Sequence, residues 1–102
     1  MRVFALPDTR DCIVFSGKMK DFNQFLNLKI ELKQMMKNYD KKEPLCFFLD
    51  KCYPLEPYFV AHILKLKEND DWDIKIHTND FDTFNFFKHL GLESLFEIVL
   101  RT

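Results

Sequence analysis

Pro44-Leu45-Cys46-Phe47-Phe48-Leu49-Asp50 is the stretch on which the fold turns. Five consecutive apolar residues, closed by a proline before and an aspartate after, are too few for a helix that buries one stripe. A strand buried on both faces reads in this way, because both sets of alternating side chains leave water. The run is therefore expected to be the central strand of a parallel sheet, with helices on either side of it in sequence.

Upstream, the period changes. From Asp21 to about Tyr39, residues Phe25, Leu28, Leu32, Met35, Met36 and Tyr39 recur at three- and four-residue spacing, which defines one face of a helix. Asp21 suits the N-cap, and the later lysines suit the negative end of the helix dipole. A second stripe, Phe22, Leu26 and Ile30, widens the apolar arc; it fits either a deeply seated helix or a partner surface. Before this helix, Met1–Leu6 and Cys12–Phe15 flank a turn at Pro7-Asp8-Thr9-Arg10 and read as a hairpin ended by Ser16-Gly17.

Downstream, a helix starts at Pro57, which is tolerated at the first helical position. Phe59, Ile63 and Leu66, with Val60 and Leu64 beside them, form its buried face, and Glu68-Asn69-Asp70-Asp71 ends it. Asp73–Thr78 alternates as a half-buried strand. A third helix follows, capped by Asn79 or Asp80, with Phe84, Phe87 and Leu90 inward and Gly91 as its stop. Phe86 falls off that stripe, and Leu90, at four-residue spacing from it, shares that alternative place, as a homodimer contact, a partner site or a residue tucked between neighbouring elements. Leu95–Leu100 makes a last strand. The order is β-β-α-β-α-β-α-β, a single α/β domain over residues 1–102 with right-handed parallel crossovers after an opening hairpin.

Composition narrows the function. Hydrophobic residues make up 47% and charged residues 30%, with 15 basic against 16 acidic side chains and a net charge of −1. A nucleic-acid binder ordinarily carries a basic excess, so the lysines between Lys29 and Lys42 read as the solvated face of a helix. No apolar run approaches the roughly 20 residues that span a bilayer, nor is there an N-terminal signal stretch. The expectation is a cytoplasmic protein that does not insert into membranes. Three cysteines, an odd number, argue against a disulfide framework; Cys46 reads as a reduced core thiol and Cys52 as the one cysteine near the surface.

Several short motifs, in order, carry a family resemblance. An apolar strand runs into glycine at Ile13-Val14-Phe15-Ser16-Gly17. The central strand ends in Phe47-Phe48-Leu49-Asp50. The last helix leads through Gly91-Leu92, Glu93 and Ser94 into Leu95-Phe96-Glu97-Ile98. From about Arg2 to Val99 the chain resembles the STAS family (sulphate transporter and anti-sigma-factor antagonist). The resemblance implies a mixed, mostly parallel sheet with helices packed on it, and a regulatory role exerted by binding another protein. It also implies a hydroxyl phosphoacceptor at the start of the second helix. Here that place is taken by Glu56-Pro57-Tyr58, and no Ser or Thr occurs between Ser16 and Thr78. Pro57 thus occupies a degenerate phosphoacceptor position, and the phosphate-driven change of surface charge is lost.

The partner surface implied is the first turn of that helix with its loop: Tyr53, Leu55, Glu56, Pro57, Tyr58 and His62. Aromatics on a stiff loop suit an interface hot spot, although Tyr53 and Leu55 also serve simply to cover the core edge. Two other roles accompany the family: an accessory subunit of a bacterial ABC-type lipid transporter, and a domain binding a nucleotide or lipid. Catalytic readings are weaker. A Cys52–His62 pair lacks any local signature, and an Asp50–Glu56 carboxylate pair lacks a pocket. His62, His77 and His89 lie on three separate elements, without metal-ligand spacing. With Gly17 and Gly91 the only glycines, no phosphate cradle exists. No cofactor or metal is expected.

Overall fold

A computed structural model describes residues 1–5 and 12–101. Its elements run β1 (Arg2–Ala5), β2 (Cys12–Ser16), α1 (Phe22–Met36), β3 (Leu45–Asp50), α2 (Pro57–Glu68), β4 (Ile74–Thr78), α3 (Phe81–His89), a 3-10 turn (Leu92–Ser94) and β5 (Glu97–Leu100). The expected β-β-α-β-α-β-α-β order is the observed one. The turn expected at Pro7–Arg10 lies outside the described residues.

The five strands stand side by side in sequence order, β1-β2-β3-β4-β5. β1 pairs antiparallel with β2, and every later pairing is parallel. Each crossover therefore steps in the same direction along the sheet. Right-handed crossovers that all step one way place their helices on the same face. The core has that composition: Ile13, Phe15, Leu45, Phe47, Leu49, Ile74 and Ile76, alternate residues of three strands, pack with Phe25, Leu28 and Leu32 of α1, Phe59 and Ile63 of α2, and Phe87 of α3. Phe15 sits at the centre, its ring edge-on to Phe47 at 5.0 Å and to Phe59 at 5.5 Å. Such pairs add a directional preference to the area they bury.

The opposite face carries Cys12, Val14, Cys46 and Phe48, then Lys75 and His77, and none of these belongs to the main core. Burial of β3 on both faces holds at Cys46 and is incomplete at Phe48, whose outer ring face is covered by the Arg101 guanidinium at 5.1 Å. The reason is topological: no described helix is available to cover that side.

Helix ends follow local chemistry. Asp21 Oδ1 accepts from the Gln24 amide at 2.8 Å and starts α1; Asp80, not Asn79, caps α3 by accepting from the Asp82 amide at 3.0 Å. α1 ends earlier than its periodicity suggests, at Met36, with Met35 and Tyr39 packed on the core margin. Two further expectations are corrected. Leu90 is 52% exposed, because α3 stops at His89 and Gly91 turns the chain with φ +70°, so that Leu92 and Phe96 fill the core instead. The last strand begins at Glu97, because residues 92–94 form a 3-10 turn.

The one-sided core makes a direct forecast. Phe47→Ala should cost about 3–5 kcal/mol in denaturant unfolding, the range for emptying a large buried site. Phe48→Ala, one residue along on the open face, should cost only about 1–2 kcal/mol. Equal losses would mean that both faces are packed alike.

Candidate functional site

The C-terminal ends of parallel strands are the usual place for a ligand in an open α/β sheet, and here they are tied to one another. Asp50, ending β3, accepts from Ser16 Oγ of β2 at 2.9 Å and from Asn79 Nδ2 beyond β4 at 2.7 Å. Asn79 in turn accepts from the Lys51 amide at 3.2 Å. The bonds from Asn79 and Ser16 hold the Asp50 carboxyl below its ordinary range. Thr78, fully buried, donates to the Leu49 carbonyl at 2.8 Å. Asp50 is thus a strand-end clamp, and no bond joins it to Glu56 as the carboxylate pairing would need.

Cys52 is likewise not the surface thiol expected. Its side chain is fully buried and donates to the Phe15 carbonyl at 3.1 Å. Burial, reinforced by the Asp50 charge, pushes its thiol up to about 12, so the thiolate that a nucleophile requires is suppressed. Cys12 and Cys46 instead lie in register, side by side on neighbouring strands of the open face. They border a shallow hollow of about 440 Å³ with Lys75, His77 and Arg101. The polar groups there bond to one another: Arg101 Nε donates to His77 Nδ1 at 2.9 Å, and Lys75 pairs with Glu97 at 3.5 Å. Burial and the Arg101 charge lower the His77 pKa and keep its ring an acceptor. Among the described residues no group of three or more His, Cys, Asp or Glu could hold a metal ion.

The six residues singled out in sequence separate in space. Leu55 is buried in the core, which is the structural role weighed for it. Tyr53, 39% exposed, leans its ring against Phe86 at 6.2 Å; Phe86 also meets Phe87 at 6.0 Å, so it is tucked between elements. Glu56 stands at the N-cap of α2 without a side-chain capping bond, and Pro57 is the first helical residue and exposed. Tyr58 and His62 point instead towards α1. Tyr58 meets Phe22 edge-on at 5.1 Å and Phe25 at 4.8 Å, and His62 meets Phe25 edge-on at 5.8 Å. His62 is therefore half-buried between helices rather than on an exposed face.

Beyond the loop-centred set lies the outer side of α1, left open between a deeply seated helix and a partner surface. Phe22, Leu26 and Ile30 are 52%, 41% and 60% exposed. The wide apolar arc is a surface, and the deeply seated alternative is excluded. Its signal was present in the second stripe at four-residue spacing; what sequence could not supply was which side the sheet would take. The aromatic seam of Phe22, Phe25, Tyr58 and His62 joins this ridge to the first turn of α2. Beside it, between α1 and α2, opens a cleft of about 430 Å³.

Against this geometry the comparisons with known proteins are silent: no family model matches the chain, and no curated protein or solved structure matches it at a significant level. No helix among the described residues is long and apolar enough to cross a membrane.

His62 supplies a pH test of the seam. Its pKa falls to about 4, first through burial and then through the charges of Lys29 and Lys65, with Asp70 opposing. A base whose folded pKa lies below its unfolded value near 6.5 gives stability that is present above about pH 6.5 and is lost as pH falls towards 4. Thermal unfolding followed between these values should show wild type losing stability more steeply than His62→Phe. Parallel curves would place the imidazole in water.

Proposed function

We propose that this domain is a non-catalytic adaptor that binds another protein through the outer face of α1 and the first turn of α2. The single observation that carries this reading is the exposed ridge Phe22-Leu26-Ile30, joined to Tyr58 through Phe22. Isolated exposed apolar residues are ordinary on a protein surface, whereas a contiguous row beside a rigid aromatic seam marks an interaction site. Aromatic anchors backed by packed neighbours lose little side-chain entropy on binding.

The resemblance to STAS domains supports the same kind of role, with Pro57 where the hydroxyl acceptor would stand. Proline at the first helical position fixes the entry into α2 and leaves nothing to phosphorylate. Docking is then constitutive, or is controlled through the partner. The buried thiol of Cys52 and the clamped carboxylate of Asp50 favour this reading over chemistry at the strand ends. A cytoplasmic location accompanies the adaptor reading.

The test is affinity purification from the native cells with identification of the retained proteins, comparing wild type, Tyr58→Asp and Ile30→Asp. Tyr58 packs on two rings of α1, so its substitution loosens the fold as well as the surface. Ile30 is 60% exposed, so Ile30→Asp should leave the melting temperature unchanged. A protein held by wild type and lost from both variants supports the adaptor reading. Equal retention by all three, or no specific protein on wild type, would overturn it.

A further inference from the structure

The cleft between α1 and α2 is lined by five lysines, Lys29, Lys33, Lys37, Lys41 and Lys65, and by one carboxylate, Asp70. Its floor is apolar, built from Leu32, Met36, Leu66 and Trp72. None of the five lysines forms an ion pair with a described residue; the pairs present are Lys75–Glu97 and Lys88–Glu93, elsewhere on the surface. Lys41 lies over the Trp72 ring at 5.5 Å. His62, at the upper wall, is neutral and adds no charge of either sign.

The arrangement along α1 is regular. Lys29, Lys33 and Lys37 follow one another at four-residue spacing, about 6 Å per step along the helix axis. Phe22, Leu26 and Ile30 form the neighbouring row at the same spacing. α1 therefore presents an apolar ridge and a basic ridge side by side, with the cleft beyond the basic one. We propose, resting on the adaptor reading, that the partner's docking segment is an acidic amphipathic helix. Its apolar row lies on Phe22, Leu26 and Ile30, and its carboxylates, spaced four residues apart, meet Lys29, Lys33 and Lys37.

Two features favour this occupant over other anions. The basic groups are spread along a line instead of converging on one point, which matches an extended row of carboxylates better than a single phosphate. The charge is also local. Apart from the five lysines and the one aspartate of the cleft, the chain has ten basic against fifteen acidic residues. A bilayer surface or a long nucleic acid would meet that acidic remainder, whereas a short helix stays within the basic strip.

Trp72 is the only tryptophan in the chain and lines the cleft, so its emission reports occupancy directly. The experiment titrates the whole domain with a tryptophan-free helical peptide of about four turns, carrying Glu at four-residue intervals beside a Leu row. The expected result is a saturable change in Trp72 emission that weakens with added salt. Lys29→Glu/Lys33→Glu should weaken binding by at least about tenfold, and exchanging the peptide's Glu for Lys should restore it to that variant. A peptide of the same composition in scrambled order binding equally well would overturn the proposal. So would the absence of saturable peptide binding, or preferential binding of anionic vesicles or single-stranded DNA under the same conditions. The same double variant, used in affinity purification, separates this inference from the adaptor reading. A partner lost with Ile30→Asp but kept by Lys29→Glu/Lys33→Glu leaves the adaptor standing and removes the acidic helix. Loss with both supports the two together.

Discussion

The exposed surfaces of this molecule follow from a constraint on chain path: β2, β3, β4 and β5 are laid down in sequence order, each beside the last. A parallel sheet whose strands reverse direction of growth sends helices to both sides. One that grows in a single direction keeps them all on one side, given the strong preference for right-handed crossovers. Three helices then compete for one face of five short strands. α1 and α2 lie as neighbours, their contact filled by Phe25, Tyr58 and His62, and each must leave its outer side in water. The exposed ridge and the lysine cleft are consequences of that crowding.

The same constraint leaves the other face without a helical layer among the described residues. A parallel sheet is usually covered on both sides, and this one manages with small or shielded side chains. Cys12, Val14 and Cys46 are buried there, and Phe48 is capped by Arg101. The strand ends are held by polar bonds in place of apolar cover, with Asp50 bridging Ser16 and Asn79. A carboxylate so placed ties the ends of β2 and β3 to the residue that follows β4. Charged and polar groups near a strand end invite a catalytic reading; here they are bonded to one another.

Much of the fold was legible because its signals are local. The five-residue apolar run of β3, the Asp21 cap, the proline at the first turn of α2 and the glycine after α3 each act within a few residues. What escaped was whatever depends on the far side of the molecule. Cys52 lies just past a strand end, where loops are commonly exposed, yet the Phe15 carbonyl folds over it. His62 lies off the buried stripe of α2, yet α1 covers it with Phe25. Leu90 continues the apolar period of α3, yet Gly91 diverts the chain and Leu92 takes the buried place. In the candidate site the residues of α2 were singled out while those of α1 were left between two meanings. Periodicity reports that an arc is wide; it does not say which part of the arc the sheet will cover.

The cleft between α1 and α2 bears on stability as well as recognition. Five ammonium groups along one strip repel one another, and Lys29 and Lys65 also drive the proton from His62. A sequence selected for stability alone would place acids among them, since opposite charges at four-residue spacing help an isolated helix and like charges harm it. Glu31 does occur on α1, but it lines a hollow near Met1 and Arg2, away from the cleft. The local rule is thus broken on the cleft side of the helix. Such one-sided violations are expected where function opposes stability. A ligand bringing carboxylates to the strip would relieve the repulsion and bind the folded state alone, so that binding and folding become linked. On the proposed reading, the lysine strip favours an acidic partner for the same reason that it weakens the isolated domain.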